Sequence, residues 1–503
     1  MTSSKKNPRI LIVTPETTYL PEGMGNLANA MAVKAGGLAD VSASLISALF
    51  NQGADVHVAM PDYRAMFDNQ MDPILRKQRH IIRTQMPHER IQLAEDRAFF
   101  YLHTVYSSYG WENMRISLAF HREVMNHIVP WVKPDLIHCN DWMTALIPAM
   151  SRQMEIPCLF TVHNIHTVKT TLSHIEDRGI DAAYFWNHLY YDNMAEEYET
   201  TREGNQVDFL TSGVFAAHFV NTVSPTFLKE IVDGYHNFVF PSLRAELTNK
   251  WDADCATGIL NSPDASFDPT TDRVLIRQYG PDEHPVGKIQ NKRYLQKSLG
   301  LVENDNAPLF FWPSRLDNTQ KGCQLMAEIL YKTIDAYWDQ QLEIIFVANG
   351  AFKQVFRDIV AFHGIEDRVA VCDFDERLSR MAYAGSDFIL MPSLFEPCGL
   401  PQMIAPIYGS LPVARDTGGI HDTITHLNPA EETGNGFLFE TYDSAGLFWA
   451  IQQAMAFYGL PIDRRQAHIK RVMKHARQTF NHDVTARQYI DLYERMLERP
   501  LID

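Results

Sequence analysis

Short, β-rich apolar runs recur along this chain, most of them followed by an amphipathic stretch of helical length, and that alternation restricts the fold more than any other feature. Strand–helix–strand repetition argues for parallel strands joined by right-handed helical crossovers. One series predicts strands over 10–13, 55–60, 99–105, 135–138, 159–162 and 219–223. A second predicts strands over 309–312, 343–347, 369–372, 388–391 and 411–413. The expected class is α/β, with two doubly wound, Rossmann-like domains facing an interdomain cleft. Between the series lies NSPDASFDPTTD (261–272), whose Pro, Asp and Ser content marks a hinge. The domains are therefore expected at 1–260 and 261–463. The last helical stretch, 464–503, has no strand after it and is free to pack back on the first domain.

With 503 residues, 46% hydrophobic and 21% charged, the chain has enough apolar material for two real cores, which excludes a disordered or peptide-like polymer. Asp and Glu number 61 against 45 Lys and Arg, a net charge of −16, so general nucleic-acid binding has little electrostatic support. One small anion in a local basic pocket remains compatible with that charge, because distant charges are screened. The six cysteines are scattered without a CxxC pair, so reduced thiols are expected and neither zinc nor a disulfide framework is indicated. After MTSSKK the apolar run RILIV is too short for a secretory core, and no run is long enough to span a bilayer. The expected compartment is the cytoplasm, and a plastid form shown without its leader would read the same way.

Ligands of open α/β sheets sit beyond the carboxyl ends of the strands, so motifs that follow strands carry the functional reading. KAGGLADV (34–41) gathers Lys34 and the Gly36 and Gly37 amides at a helix start, a geometry that suits an anion. A plain tight turn is its alternative; the spacing matches neither the dinucleotide glycine fingerprint nor a P-loop. SRLDNTQKG (314–322) places Arg315 and Lys321 above a strand end, where two cations can clamp a diphosphate leaving group, or simply be solvated. PSLFEPCGL (392–400) puts Glu396 on a loop beside Cys398, Gly399 and Leu400, suited to sugar hydroxyls or to a turn. Thr417 and Gly418 offer amides at another helix start, with a plain turn as the favoured alternative. HCNDW (138–142) and TVHN (161–164) deliver Asp141 and His163 to strand ends, the histidine for sugar binding or transition-state support, or simply as a satisfied packing residue. His166 has no carboxylate or Cys partner at ligand spacing, so no metal site is assigned.

In this order the motifs resemble the bacterial and plant glycogen/starch synthase family of retaining glycosyltransferases. KAGGLADV is similar to its KTGGLADV, HCNDW to H-x-HDW, TVHNI to TVHN, NTVSPTFLKEI to TTVSPTYA-x-EI, GILNSPD to GILNG-x-D, PSRLDNTQKG to VSRL-x-x-QKG, and MPSLFEPCGLPQM to VPS-x-FEPCGL-x-Q. The resemblance implies a GT-B fold and transfer of glucose from ADP-glucose or UDP-glucose to the non-reducing end of an α-1,4-glucan, with retained configuration and no cofactor or metal. Carried onto matching positions, it puts Lys34, Gly36 and Gly37 at the donor phosphates and Arg315 and Lys321 on the departing diphosphate. Asp141, His163 and Asn261 would surround the glucose, with Glu396, Cys398, Gly399 and Leu400 on its hydroxyls and Phe374 beside the base.

The sequence departs from the family in a longer Glu16-to-Lys34 loop, in Ser262-Pro263 for a common glycine, in Pro401 for a frequent Thr, and across 166–207. A glucan-binding homologue without activity, acting as scaffold or regulator, is the competing expectation; another acceptor is a third. Retention of Lys34, His163, Arg315, Lys321 and Glu396 favours an enzyme, since a binding protein has no physical need for a diphosphate clamp.

Overall fold

The computed structural model describes residues 7–84 and 89–502, so MTSSKK lies outside it. The chain forms two compact units, one running to Asn261 and resuming over His482–Asp503, the other spanning Ser262–Asn481. The chain thus changes unit at the start of the turn-rich segment and returns at His482, with helix Ile462–Thr479 remaining in the second unit.

The first unit holds β1 (Arg9–Val13), β2 (Asp55–Pro61), β3 (Ile91–Ala94), β4 (Leu136–Asn140), β5 (Cys158–Val162), a separate antiparallel pair β6 (Lys169–Thr171) and β7 (Gln206–Asp208), then β8 (Phe219–Thr222) and β9 (Ala256–Gly258). Its main sheet is parallel in the order β3-β2-β1-β4-β5-β8-β9. β4 and β5 are buried along their whole length, which is why they read as apolar runs rather than as alternating ones. The last helix, His482–Leu497, buries Tyr489 and Tyr493 against this sheet. The Tyr493 hydroxyl lies 2.7 Å from His138 Nδ1, and Asn221 Nδ2 donates to the Tyr489 hydroxyl at 2.9 Å.

One expectation is corrected here. Residues 99–105 form no strand: Asp96 accepts the Ala98 amide at 2.6 Å and caps a helical turn, Arg97–Phe100. Phe99 is buried edge-on between Tyr63 and Phe120 and Val105 is also buried, while Tyr101 is exposed, so the run is apolar because of local packing rather than because of a pleat. The place in the sheet belongs to β3, whose IQLA is too short to stand out in the sequence. The long 17–33 loop is a packed element: Leu20, Met24 and Met31 are buried, Arg90 donates its amide to the Met24 carbonyl at 2.7 Å, and Asn26 Nδ2 donates to the Ile82 carbonyl at 2.7 Å.

The second unit holds β10 (Leu309–Trp312), β11 (Glu343–Val347), β12 (Val369–Cys372), β13 (Phe388–Met391), β14 (Leu411–Arg415) and β15 (Phe437–Phe439), all parallel, in the order β12-β11-β10-β13-β14-β15. In each sheet the strand order reverses once, between β1 and β4 and between β10 and β13. The crossovers on the two sides of such a point lie on opposite faces, which leaves a crevice at the carboxyl ends. Among the described residues no helix is long and apolar enough to cross a membrane.

Candidate active site

In the second unit, the two loops flanking the β10/β13 reversal are bound to one another. The Asp317 carboxylate accepts the amides of Thr319, Gln320 and Lys321 at 3.1, 2.7 and 3.2 Å, curling the loop after β10. The next residue, Gly322, has φ +72°, and a Cβ there would lie 2.0 Å from the Pro392 carbonyl oxygen. Only glycine lets the backbones approach so closely. Leu394 then donates its amide to the Gln320 carbonyl at 2.7 Å.

This approach sets Lys321 Nζ 2.6 Å from Glu396 Oε2, with the Ser393 hydroxyl donating to the same oxygen at 3.1 Å. Both side chains are largely buried, 12% and 6% exposed, so the pair is poorly screened. Sequence reasoning treated Lys321 and Glu396 as separate tools for phosphate and sugar; in the structure they are each other's partner. The lysine keeps two further N–H donors for an anion. Arg315 is exposed, with no hydrogen bond or ion pair among the described residues. Its guanidinium is unpaired among the described residues, on the same loop as the ammonium that Glu396 neutralises.

The other residues expected at the donor lie at the carboxyl ends of the same sheet. Gly419 donates its amide to the Glu396 carbonyl at 2.9 Å, and a Cβ on it would meet the Cys398 carbonyl oxygen at 2.0 Å, so the segments 396–400 and 417–419 lie backbone against backbone. Thr417 caps helix Gly418–Thr423 by position, and Gly399 and Gly418 have positive φ, +77° and +46°. Cys398 is buried, and Leu400 precedes helix Pro401–Ile407. Phe374 follows β12 with its ring 56% exposed. Its amide donates to Asn349 Oδ1 at 3.2 Å, and the Asn349 carbonyl accepts from Leu316 at 2.9 Å. Asn349-Gly350 after β11, which ties Arg315's loop to Phe374's, carried no sequence signal: a lone NG reads as a turn.

In the first unit, the β1/β4 reversal brings the predicted anion site together, but with its donors engaged. Ala35 and Gly36 give their amides to Glu16 Oε2 at 2.5 and 3.0 Å, and Lys34 pairs with Asp40 at 2.8 Å. Sequence reasoning missed Glu16, an isolated carboxylate directly after β1. It is 1% exposed, its carboxyl is pushed above the ordinary range by burial, and the Tyr106 hydroxyl donates to it at 3.3 Å. A Cβ on Gly37 would meet nothing within 4 Å, so internal packing does not require glycine there.

Asp141 follows β4 in the left-handed region, φ +63°, and is 3% exposed. Its Oδ2 accepts from Asn164 Nδ2 at 2.8 Å, while Oδ1 is buried with no hydrogen-bond partner among the described residues. Burial pushes this carboxyl up to about 7, against the amides of Trp142, Asn164 and His163. His163, after β5, has Nε2 3.0 Å from Asn140 Oδ1, and burial lowers it to about 3. The ring is neutral at pH 7, carries its proton on Nε2 for Asn140, and presents Nδ1 as an acceptor. Asn261 is 7% exposed with its Oδ1 likewise unpartnered among the described residues. Two buried acceptors without partners mark places where a hydroxyl donor is wanted.

Residues 9–240 match the family model of the starch synthase catalytic domain, and residues 307–456 that of the group 1 glycosyl transferases. The glycogen synthase of Exiguobacterium sibiricum is 32% identical over 497 residues, covering 92% of this chain and 96% of the relative. The chain belongs to the glycogen synthase family.

Another member, the glycogen synthase of Moorella thermoacetica, is 33% identical over 517 residues, with 98% and 97% covered. Among solved structures, the catalytic domain of starch synthase IV from Arabidopsis thaliana, bound to ADP and acarbose, is 25% identical with a TM-score of 0.78 over 98% of this chain and all of that one. Sucrose-phosphate synthase from Thermosynechococcus elongatus shares the fold at 18% identity and a TM-score of 0.57. The two Rossmann-like units are those of GT-B glycosyltransferases, and a member of the glycogen synthase family is a nucleotide-sugar glycosyltransferase. Ser262, in place of the common glycine, donates its hydroxyl to the Asn481 carbonyl at 3.0 Å and so ties together the two points where the chain changes unit.

Proposed function

We propose that the chain transfers glucose from a nucleoside diphosphate glucose to the non-reducing end of an α-1,4-glucan, with retained configuration and without a metal. ADP-glucose is the first donor to test, because the solved starch synthase IV domain is bound to ADP. The observation that carries the reading is the Lys321–Glu396 pair at the β10/β13 reversal, with Arg315 unpaired on the same loop.

In the proposed step, the bond between glucose C1 and the β-phosphate oxygen breaks as the 4-hydroxyl of the acceptor attacks C1 from the same face. The hydroxyl proton passes to the departing diphosphate, so no side chain becomes a covalent nucleophile. Charge grows on the leaving group, and Arg315 with the spare donors of Lys321 stabilises it without a divalent ion. Glu396 holds the ammonium in place and offers Oε1 to a sugar hydroxyl. Amides of the 398–400 and 417–418 segments bind the donor, Phe374 lies along its base, and Lys34, Gly36 and Gly37 take up phosphate charge. Asp141 Oδ1, Asn261 Oδ1 and His163 Nδ1 accept hydrogen bonds from hydroxyls of the glucose. The cytoplasm is the proposed compartment.

The test incubates purified protein with labelled ADP-glucose or UDP-glucose and glycogen, with and without EDTA, and follows label in polymer and free nucleoside diphosphate. Incorporation with one donor, insensitive to EDTA, supports the reading. Release of nucleotide without polymer label, or no reaction with either donor, overturns it.

A further inference from the structure

The β15 edge of the second sheet carries a depression of about 530 Å³ lined by Asp416, His426, Glu440, Thr441 and Trp449 with the β15 backbone. Trp449 is 44% exposed, and several other tryptophans of this chain are exposed too, but it alone among them lines this depression, with an aromatic neighbour beside it. His426 stacks on it, with ring centroids 5.8 Å apart and planes at 27°, and meets Phe437 edge-on at 6.0 Å. His426 is itself fixed, because its Nδ1 accepts the Leu438 amide at 3.1 Å. The floor of the depression is equally constrained: a Cβ on Gly446 would lie 2.7 Å from the Thr441 carbonyl oxygen and 3.1 Å from the Phe439 ring. An aromatic platform with its rotamer already set loses little entropy when a ligand stacks on it.

The rim selects the ligand's chemistry. Two acidic residues, Asp416 and Glu440, and Thr441 line the cavity, and no lysine or arginine among the described residues does. Asp416 shares Oδ1 with His421 Nδ1 at 2.8 Å, and the Glu440 side chain is exposed without a hydrogen bond or ion pair among the described residues. A phosphate or nucleotide is disfavoured by that sign of charge. A neutral ligand with a flat C–H face and many hydroxyl donors suits both surfaces: the face stacks on the indole, and the hydroxyls donate to carboxylates.

We infer that the Trp449 depression is a second binding site for a run of α-linked glucosyl residues of the polymer acceptor, separate from the residues that carry the transfer. The inference rests on the proposed glucan acceptor. A chain held at Trp449 keeps other ends of the same branched polymer near the enzyme, raising their effective concentration without a new contact at the reacting atoms. A short oligosaccharide cannot gain in this way.

The experiment compares the full chain with Trp449→Ala and Trp449→Phe, using glycogen and maltotriose as acceptors and affinity electrophoresis through glycogen-containing gels. For Trp449→Ala we expect the apparent KM for glycogen to rise at least about fivefold and gel retardation to fall in proportion, with kcat and the KM for maltotriose unchanged; Phe restores most of both. An unchanged glycogen KM and retardation in Trp449→Ala overturns the site. An equal loss on both acceptors also overturns it, because it marks damage to the unit rather than loss of a polymer contact. If the wild-type chain transfers glucose to neither acceptor, the proposed function fails, and gel retardation alone then decides the site.

Discussion

Glu16 accepts the amide of Gly36 at 3.0 Å, so a carboxylate of the protein already lies at the helix start that the glycine motif offers to an anion. In the proposed function a donor phosphate and Glu16 would compete for the same N–H-rich position. Glu16→Gln removes the competing charge and keeps one acceptor. ADP affinity by calorimetry at low salt is expected to rise about threefold to tenfold, on the scale of one screened charge near a helix terminus. A fall in affinity would mean instead that Glu16 shapes the loop for the ligand.

Arg315 and Lys321 separate under stability measurements. Arg315 is exposed and unbonded among the described residues, so Arg315→Ala is expected to leave urea unfolding unchanged while turnover falls by about 10² or more. Lys321→Ala also reduces turnover on that scale, but strands the Glu396 carboxylate at 5% exposure and is expected to cost about 3 kcal/mol of stability. Adding Glu396→Gln should recover much of that stability and none of the activity. Near-normal turnover in both single variants would reject the clamp.

Asp141 makes stability depend on pH. Its carboxyl is raised from 3.8 to about 7, so between those values the folded chain holds a proton that the unfolded chain has released. The unfolded state then binds fewer protons, and this group's contribution to stability declines as pH rises through that window. Asp141→Asn removes the dependence. Thermal melts at pH 5 and pH 8 are expected to show the variant gaining at least about 1 kcal/mol on the wild type at the higher pH, and a parallel pair of curves would refute the raised carboxyl.

Glycines of the two units answer different questions. Gly419→Ala drives a Cβ to 2.0 Å from a carbonyl oxygen and should unfold or strongly destabilise the second unit. Gly37→Ala meets no atom within 4 Å, and alanine favours a helix, so melting should stay level or rise slightly. Activity measured on this stable variant reports on the ligand alone: a loss assigns Gly37 to donor binding, and full activity removes it from the site.

Alternation of apolar runs with helical stretches sufficed for the two α/β units and most strands of both sheets, because fully buried strands such as β4 and β5 must be continuously apolar. The family motifs likewise stand at strand ends, where covalent order alone places them. What depended on tertiary structure was which groups meet. β3 and β9 are short and are recognised only by the neighbours they pair with, and Phe99 belongs to a helical turn because an Asp96 cap and two buried rings outweigh its strand propensity. Lys321 and Glu396 lie far apart in the chain, and their pairing follows from the reversal of strand order between β10 and β13 together with a glycine that admits a carbonyl at contact distance. Composition and spacing can name a charge. Which charge faces it is decided by burial and backbone approach, which exist only once the sheets have formed.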